Sequence, residues 1–292
     1  MKHRTVHRTT GAKRQFTTTR DRQPASARPD HAPPPLKRLG QHFLIDPNMI
    51  RKIVTLADIR PEEPVLEIGP GRGDLTRALC VAARSVIAVE LDRKLAAYLA
   101  ERLADCHNLD LRVGDALAFP YETLSRGTVV VANLPYYVST PLLFKLLAAR
   151  DRIARMVLML QAEVARRLVA QPGDREYGIL SVLAQYAAEP SLAFQVSPSC
   201  FRPRPEVGSA VVRFMKKDQR HLRVTDEALF TRIVRAAFAH RRKTLMNSLR
   251  DEGLDPDMIS RALESAGIHP ARRAETLGLE EFASLAQAMK DE

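Results

Sequence analysis

Short apolar runs separated by amphipathic stretches make up most of the chain from residue 46 to residue 170. Five runs predict strands: "PVLEIG", "SVIAVE", "DLRVGD", "TVVVAN" and "RMVLMLQ". Between them apolar residues recur at helical spacing, which predicts helices. Asp46-Pro47 and Thr140-Pro141 predict two helix starts, because Asp and Thr cap free N–H groups and Pro fits the first turn. Strands alternating with helices predict an α/β fold with a mainly parallel, doubly wound sheet.

The remainder of the chain has a different pattern. "LAFQVSP" and "SAVVRFM" predict two late strands with no helix between them, which we expect to pair antiparallel at one edge of the sheet. After about residue 220 the strand signals stop, and "DEALFTRIVRAAFAHRRKTLMNSLR" and the stretches 256–266 and 279–289 predict helices. We therefore predict a disordered basic tail (1–36), an α/β domain (37–220) and a small all-helical domain (221–292).

Charge and composition narrow the functional classes. The formal net charge is +11, and the first 36 residues hold eight Lys or Arg against two Asp. A basic tail is typical of nucleic-acid binding; a solvated extension and an acid-poor mitochondrial targeting segment remain alternatives. No apolar run is long enough to predict a membrane span. The three cysteines lie far apart without a C-x-x-C pair, which predicts neither a zinc site nor disulfides and favours a reducing compartment such as the cytoplasm.

A glycine-rich turn follows the first predicted strand. "VLEIGPGRGDLT" places Gly69, Gly71 and Gly73 where the backbone can approach a ligand closely. The spacing is not G-x-G-x-x-G, and the acidic Glu67 just inside the turn disfavours a phosphate cradle, so a nicotinamide dehydrogenase is disfavoured. Glu90 ends the second strand, and a carboxylate there can accept hydrogen bonds from both ribose hydroxyls.

The third and fourth strands bring further polar groups to the same edge. Asp115, in "GDAL", is placed to accept a hydrogen bond from an adenine amino group, so three strand ends together predict a site for an adenosine-containing cofactor. The fourth strand runs into Asn133, Leu134, Pro135 and Tyr136. Adenine nitrogen N6 is a poor nucleophile because its lone pair is delocalised into the ring. Hydrogen bonds to the Asn oxygen and a nearby backbone carbonyl favour a pyramidal, nucleophilic nitrogen, and the tyrosine can stack on the base.

These motifs in this order resemble class I (Rossmann-like) S-adenosylmethionine-dependent methyltransferases. More closely, the chain resembles the small-subunit rRNA adenine N6,N6-dimethyltransferase family. The matching stretches run from about Leu36 to Leu249: "LKRLGQHFLID", "VLEIGPGRGDLT", "AVELD", "GDAL", "NLPYYVSTPLLF", "MLQAEVARRL", "FRPRPEVGSAVV" and "HRRKTLMNSL".

The resemblance implies an activity and its partners. S-adenosylmethionine would donate two methyl groups to each of two adjacent adenosines near the 3′ end of small-subunit rRNA, within a pre-ribosomal small subunit. The sulfonium activates the methyl group, so neither a metal ion nor a strong general base is required, and positioning is the main contribution of the protein. A stacked adenosine must be flipped out to react. We expect a monomeric cytoplasmic enzyme with no membrane association.

The resemblance also implies residue roles. His42 and Leu44 would close over the methionine end of the cofactor, although the family often has Asn where this chain has His42. Phe201 would flank the flipped base opposite Tyr136. The cofactor-binding set comprises His42, Leu44, Gly69, Gly71, Glu90, Asp115 and Asn133, and the catalytic set comprises Asn133, Leu134, Pro135 and Tyr136.

A basic helix is predicted over "FAHRRKTLMNSLR". Arg241, Arg242 and Lys243, together with Arg250, would contact RNA phosphates, with binding that weakens steeply with salt. An apolar set would face the core: Ile233, Ala237, Leu245 and Leu249.

Two rival functions remain open at this point. One is methylation of large-subunit rRNA of the macrolide-resistance type, against which "FRPRPEVGSAVV" and "HRRKTLMNSL" argue. The other is a non-catalytic nucleic-acid-binding relative, against which the intact cofactor residues argue.

Overall fold

The computed structural model describes residues 17–18, 32–36, 39–217, 222, 224–240 and 242–291. Its strands are β1 (Thr17–Thr18), β2 (Phe43–Leu44), β3 (Pro64–Ile68), β4 (Ser85–Glu90), β5 (Leu109–Val113), β6 (Thr128–Asn133), β7 (Ile153–Gln161), β8 (Ala188–Val196), β9 (Phe201–Arg202) and β10 (Ser209–Lys216). Its helices are α1 (Pro47–Ala57), α2 (Asp74–Ala82), α3 (Arg93–Arg102), α4 (Ser139–Ala148), α5 (Ala162–Val169), α6 (Ile179–Ala187), α7 (Glu227–Phe238), α8 (Leu245–Asp251), α9 (Pro256–Ser265) and α10 (Leu279–Asp291).

The main sheet has the order β1-β5-β4-β3-β6-β7-β10-β8. Its central pairs, β3–β4, β4–β5, β3–β6 and β6–β7, are parallel, which confirms the predicted doubly wound sheet. The chain runs outward from β3 through β4 and β5, and then returns to the other side of β3 as β6. Ligands bind at such a switch point, outside the carboxyl ends of the strands.

Strand β6 shows how the sequence places a polar group at that edge. Its first five residues are buried, because the strand is central and the sheet is covered on both faces. The apolar run "VVVA" therefore fills the buried length of the strand, and the first partly exposed residue is Asn133 at its carboxyl end.

The late strands form the antiparallel edge that the sequence predicts. β10 lies between β7 and β8 and is antiparallel to both. Its first residue, Ser209, aligns with the last residue of β7, Gln161, so Ser209 lies at the carboxyl end of the parallel strands. This register brings a buried hydroxyl to the functional edge.

One of the two predicted helix starts is confirmed and the other is wrong. Asp46 caps α1, and its carboxylate accepts from the N–H groups of Asn48 and Met49. Thr140 does not cap α4, which begins at Ser139. A 3-10 turn over Tyr136–Val138 runs directly into the helix, so Thr140 already lies within it.

The predicted long basic helix is also wrong. α7 ends at Phe238 and α8 begins at Leu245, with Thr244 capping α8 through its side chain. The apolar positions at residues 233, 237, 245 and 249 are nevertheless buried, as predicted. Two short segments, β2 and β9, pair with each other and were not predicted; neither was α6.

The C-terminal helices share a hydrophobic core with part of the α/β region. Phe230, Phe282 and Leu249 lie in one cluster with Tyr186 of α6. The predicted boundary near residue 220 and the predicted disorder of residues 1–36 remain predictions, since most of that tail lies outside the described residues. The described residues Thr17 and Thr18 form β1, which pairs antiparallel with β5 at one edge of the sheet. No helix within the described ranges is long and apolar enough to cross a bilayer.

Candidate cofactor and substrate site

A cavity of about 430 Å³ opens at the carboxyl ends of β3, β4, β5 and β6. The segment before α1, including His42 and Leu44, covers part of it. The volume is suited to a cofactor, since small-molecule sites span roughly 300–1,000 Å³. The structure brings all the predicted cofactor residues to this one cavity: His42, Leu44, Gly69, Gly71, Glu90, Asp115 and Asn133.

The glycine turn forms one wall. Gly69 and Gly71 have φ values of 68° and 61°, a region that side-chain-bearing residues rarely adopt. A Cβ on Gly71 would lie 3.0 Å from the Phe43 ring, which covers the turn. Gly73 has a different reason to be glycine, because its Cβ would clash with the Leu99 side chain of α3 at 2.7 Å. The first two glycines therefore shape the cavity, and the third allows α3 to pack.

Two buried carboxyl groups line the same wall. Glu67 is 1% exposed, and its Oε2 has no hydrogen-bond partner among the described residues. Burial is the main cause that raises the pKa of Glu67 to about 8; the Thr76 side chain opposes this rise, and the nearby Glu90 adds to it. Burial also raises the pKa of Glu90 to about 7, while N–H donors from Asp92, Gly71 and Leu91 oppose this. A cationic ligand would favour the ionised form of both groups.

Local hydrogen bonds hold the acceptors of the second and third strands. The N–H of Asp92 donates to Oε1 of Glu90 at 2.8 Å, which fixes that carboxyl at the end of β4. The N–H of Leu117 donates to Oδ1 of Asp115 at 2.9 Å, which fixes Asp115 after β5. Each acidic side chain is thus held by the turn that follows its strand.

Asn133 is oriented by a contact that the sequence does not reveal. Its Nδ2 donates to the backbone carbonyl of His42 at 3.1 Å, so Oδ1 is on the far side of the amide. The N–H of Leu134 donates to the carbonyl of Met159 at 3.1 Å, and the Pro135 carbonyl accepts from Val138 at 3.2 Å. The tetrapeptide is therefore tied both to β7 and to the turn that precedes α4.

Tyr136 is held at both ends. Its hydroxyl lies 2.5 Å from the Ser209 hydroxyl, and its ring centroid lies 5.6 Å from that of His42. Burial raises the pKa of Tyr136, so its hydroxyl is neutral at ordinary pH. The neighbouring Tyr137 also lines the cavity and is 52% exposed, yet it was not among the predicted site residues. The sequence offered a reason to include Tyr137, because this second aromatic residue directly follows the tetrapeptide.

His42 links two segments at the rim. Its Nδ1 lies 2.8 Å from the Pro203 carbonyl, and because a carbonyl only accepts, Nδ1 carries the proton. Leu44 pairs with Phe201 between β2 and β9. The Phe201 side chain is 2% exposed and packs in the cluster under the sheet, so it does not line the cavity. Its role beside a flipped base remains a prediction.

The predicted basic RNA contacts lie apart from this cavity. Lys243 pairs with Asp251, and Arg250 lies 3.5 Å from the same carboxylate. Arg242 is exposed in the connection between α7 and α8, and Arg241 lies outside the described residues. None of the described members of this set lines the cavity.

Comparison with known proteins identifies the family. The family model described as "Ribosomal RNA adenine dimethylase" matches residues 36–291. The chain belongs to this family. A curated relative, ribosomal RNA small subunit methyltransferase A of Moorella thermoacetica, is 47% identical over 267 residues, covering 88% of this chain and 93% of the relative.

Two solved structures are similar to this family member. A dimethyladenosine transferase from Plasmodium falciparum has a TM-score of 0.74 and 28% identity, covering 84% of this chain and 96% of that one. The 23S rRNA methyltransferase ErmE has a TM-score of 0.65 and 27% identity, covering 85% of this chain and 99% of that one. The predicted class I methyltransferase fold with a helical C-terminal part is therefore confirmed.

S-adenosylmethionine, the expected cofactor of this family member, fits the residues of the cavity. A Cβ on Gly71 would narrow the space beside Phe43, and the orphaned oxygen of Glu67 suits a ligand that carries positive charge. Glu90 and Asp115 would hold ribose and adenine. Among the residues that the structure describes, no group of three or more His, Cys, Asp or Glu is arranged to hold a metal ion.

Proposed function

We propose that this chain transfers methyl groups from S-adenosylmethionine to the N6 amino group of adenosine in small-subunit rRNA, giving N6,N6-dimethyladenosine. The observation that carries the proposal is the orientation of Asn133. Its Nδ2 is engaged by the His42 carbonyl, so Oδ1 is the atom presented to a donor that enters the cavity. The adenine amino group is such a donor.

The tetrapeptide supplies the remaining groups. The Pro135 carbonyl is used by the turn before α4, so the Leu134 carbonyl is the second acceptor for the amino group. Tyr136 presents a neutral, anchored ring on which the base stacks, a contact worth roughly 1–3 kcal/mol. Two acceptors draw the N6 hydrogens out of the ring plane, which localises the lone pair on nitrogen.

When bound, S-adenosylmethionine supplies a methyl group that is already activated by a positive sulfur. Glu90 and Asp115 hold the adenosine portion, and Glu67 and Glu90 balance the positive charge. His42 and Leu44 cover the cavity and limit access of water. The protein contributes mainly alignment, which is worth roughly 7–11 kcal/mol for well-oriented reactants.

The finer parts of the proposal concern the target and its setting. We infer two adjacent adenosines near the 3′ end of the rRNA, each receiving two methyl groups, within a pre-ribosomal small subunit. We further infer a monomer that works in the cytoplasm without a metal ion. Arg242 and Lys243, in the connection between α7 and α8, are exposed, and we expect them to contact phosphates of that particle, as we also expect of Arg241.

Methyl transfer to purified ribosomal subunits tests the proposal. Small and large subunits from cells that lack the modification are incubated separately with labelled S-adenosylmethionine. We expect label in small subunits only. Label in large subunits alone would replace the proposal with the function of the ErmE type. Absence of label from both subunits, with measurable cofactor binding, would require another adenine-bearing substrate.

A further inference from the structure

A second cleft, of about 490 Å³, adjoins the cofactor cavity. Three arginines line it, Arg72, Arg202 and Arg204, together with Ser199, Phe201 and two prolines. Arg72 belongs to both cavities, since it follows the glycine turn and also lines the cofactor site. The cleft therefore begins where the cofactor cavity ends.

None of the three guanidinium groups takes part in an ion pair with the part of the chain that the structure describes, whereas many other arginines do. Among the residues that the structure describes, no carboxylate lines the cleft; Glu206 is exposed further along the same loop. Three like charges around one cleft repel each other, and an anion bound between them would remove that cost.

Contacts with neighbouring residues hold the arginines on both sides of the cleft in place. The Arg72 guanidinium lies 4.8 Å from the centre of the Phe43 ring, and its buried Nε has no hydrogen-bond partner within the described ranges. The backbone carbonyl of Arg72 is held by Arg102, which also pairs with Asp74 at 2.6 Å. On the other side, β9 pairs with β2, which turns Phe201 inward and Arg202 outward.

We propose that this cleft binds the phosphodiester backbone of the rRNA strand beside the target nucleotide. The proposal rests on the proposed function, and it assigns the arginines of the "FRPRP" stretch to substrate binding. Guanidinium groups match phosphate oxygens in geometry and charge. The position also fits, because the Pro203 carbonyl that accepts from His42 forms the border between the cleft and the site where the base enters. A flipped nucleotide in the cavity would leave its flanking phosphates at this border.

The salt dependence of RNA binding provides the test. The double variant Arg202→Gln/Arg204→Gln removes two charges from the cleft and leaves Arg72, which also lines the cofactor cavity. Each single-strand phosphate contact contributes roughly 0.7 to the slope of log Kd against log salt, so we expect the slope to fall by about 1.4. Arg202→Lys/Arg204→Lys should restore most of the slope. Arg126→Gln is the matched control, because Arg126 is exposed just before β6, at the opposite edge of the sheet.

Unmethylated small subunits serve as the RNA, with potassium chloride varied and S-adenosylmethionine binding measured in parallel. A reduced slope with wild-type cofactor affinity supports the proposal. An unchanged slope in the double variant overturns it, and so does a loss of cofactor affinity alone, which would assign the cleft to the cofactor carboxylate. If millimolar inorganic phosphate weakens RNA binding equally in the wild type and in the double variant, the proposal is also overturned. Failure of the proposed function is seen separately, as wild-type protein that binds RNA and transfers no methyl group.

Discussion

The buried carboxyl group of Glu67 makes the stability of the protein without cofactor depend on pH. Its pKa is raised from the ordinary value of 4.5 to about 8 in the folded protein, mainly by burial. Between these two values the folded protein holds a proton that the unfolded chain has lost. The contribution of Glu67 to stability is therefore fully present below pH 4.5 and is lost as pH rises towards 8, by about 1.4 kcal/mol for each pH unit. By pH 9 the loss from this group approaches about 5 kcal/mol.

The variant Glu67→Gln isolates this effect, since glutamine resembles the protonated acid and does not titrate. Urea unfolding of wild type and variant at pH 5.5, 6.5, 7.5 and 8.5 gives the difference in unfolding free energy. We expect the unfolding free energy of the variant, relative to that of the wild type, to increase by about 1.4 kcal/mol for each pH unit up to about pH 8. Glu90, whose pKa is raised to about 7, titrates in both proteins, so its own burial contributes a pH dependence that both share.

The control is Glu62→Gln, which alters an exposed carboxylate five residues earlier. The difference in unfolding free energy between Glu62→Gln and the wild type should stay nearly constant from pH 5.5 to pH 8.5. If Glu67→Gln also shows a difference that is constant from pH 5.5 to pH 8.5, then Glu67 titrates alike in the folded and unfolded chains. The reasoning about its burial would then be refuted.

Three other outcomes are expected. Asn133→Ala should keep the fold but lower kcat by roughly 10²–10³, the usual effect of removing a preorganised hydrogen-bonding group. Unchanged turnover in a single-turnover assay with saturating cofactor would contradict its role. Tyr136→Ala should raise the KM for RNA by about 10-fold or more, because the stacking contact is lost. Tyr136→Phe should lose only the hydrogen bond to Ser209, which lowers the unfolding free energy in a urea titration by about 1 kcal/mol. Equal KM values for the wild type and both variants would exclude stacking. Gly71→Ala should weaken cofactor binding at least 10-fold by calorimetry, because the added Cβ would lie 3.0 Å from the Phe43 ring on a left-handed backbone. Wild-type affinity in this variant would show that the turn accommodates the methyl group.

Local patterns predicted most of the α/β fold. Continuous apolar runs such as that of β6 are typical of central parallel strands, and Asp46-Pro47 marks the start of α1 because capping depends only on near neighbours. The same reasoning failed at Thr140, where the preceding turn had already started the helix. It failed again between α7 and α8, where the connection carries the basic residues and the flanking apolar positions keep helical spacing.

The sequence predicted which cofactor residues meet at the cavity, but it missed Tyr137 and gave no sign of the long-range contacts. Strand ends placed Glu90, Asp115 and Asn133 at one edge, because parallel strands share their carboxyl ends. The Asn133 bond to the His42 carbonyl joins residues 91 positions apart, and no local pattern reports it. The same holds for Phe201, whose burial depends on the pairing of β2 with β9, two strands too short to be recognised in the sequence.

The most direct test of the central claim is nucleoside and fragment mass analysis of small-subunit rRNA after reaction with wild-type protein and with Asn133→Ala. Unmodified small subunits are the substrate, and S-adenosylmethionine is in excess. We expect N6,N6-dimethyladenosine at two adjacent positions near the 3′ end with the wild type, and almost none with the variant. Dimethyladenosine formed equally by both proteins, or a methylated product other than N6-methylated adenosine, would contradict the assignment of this site.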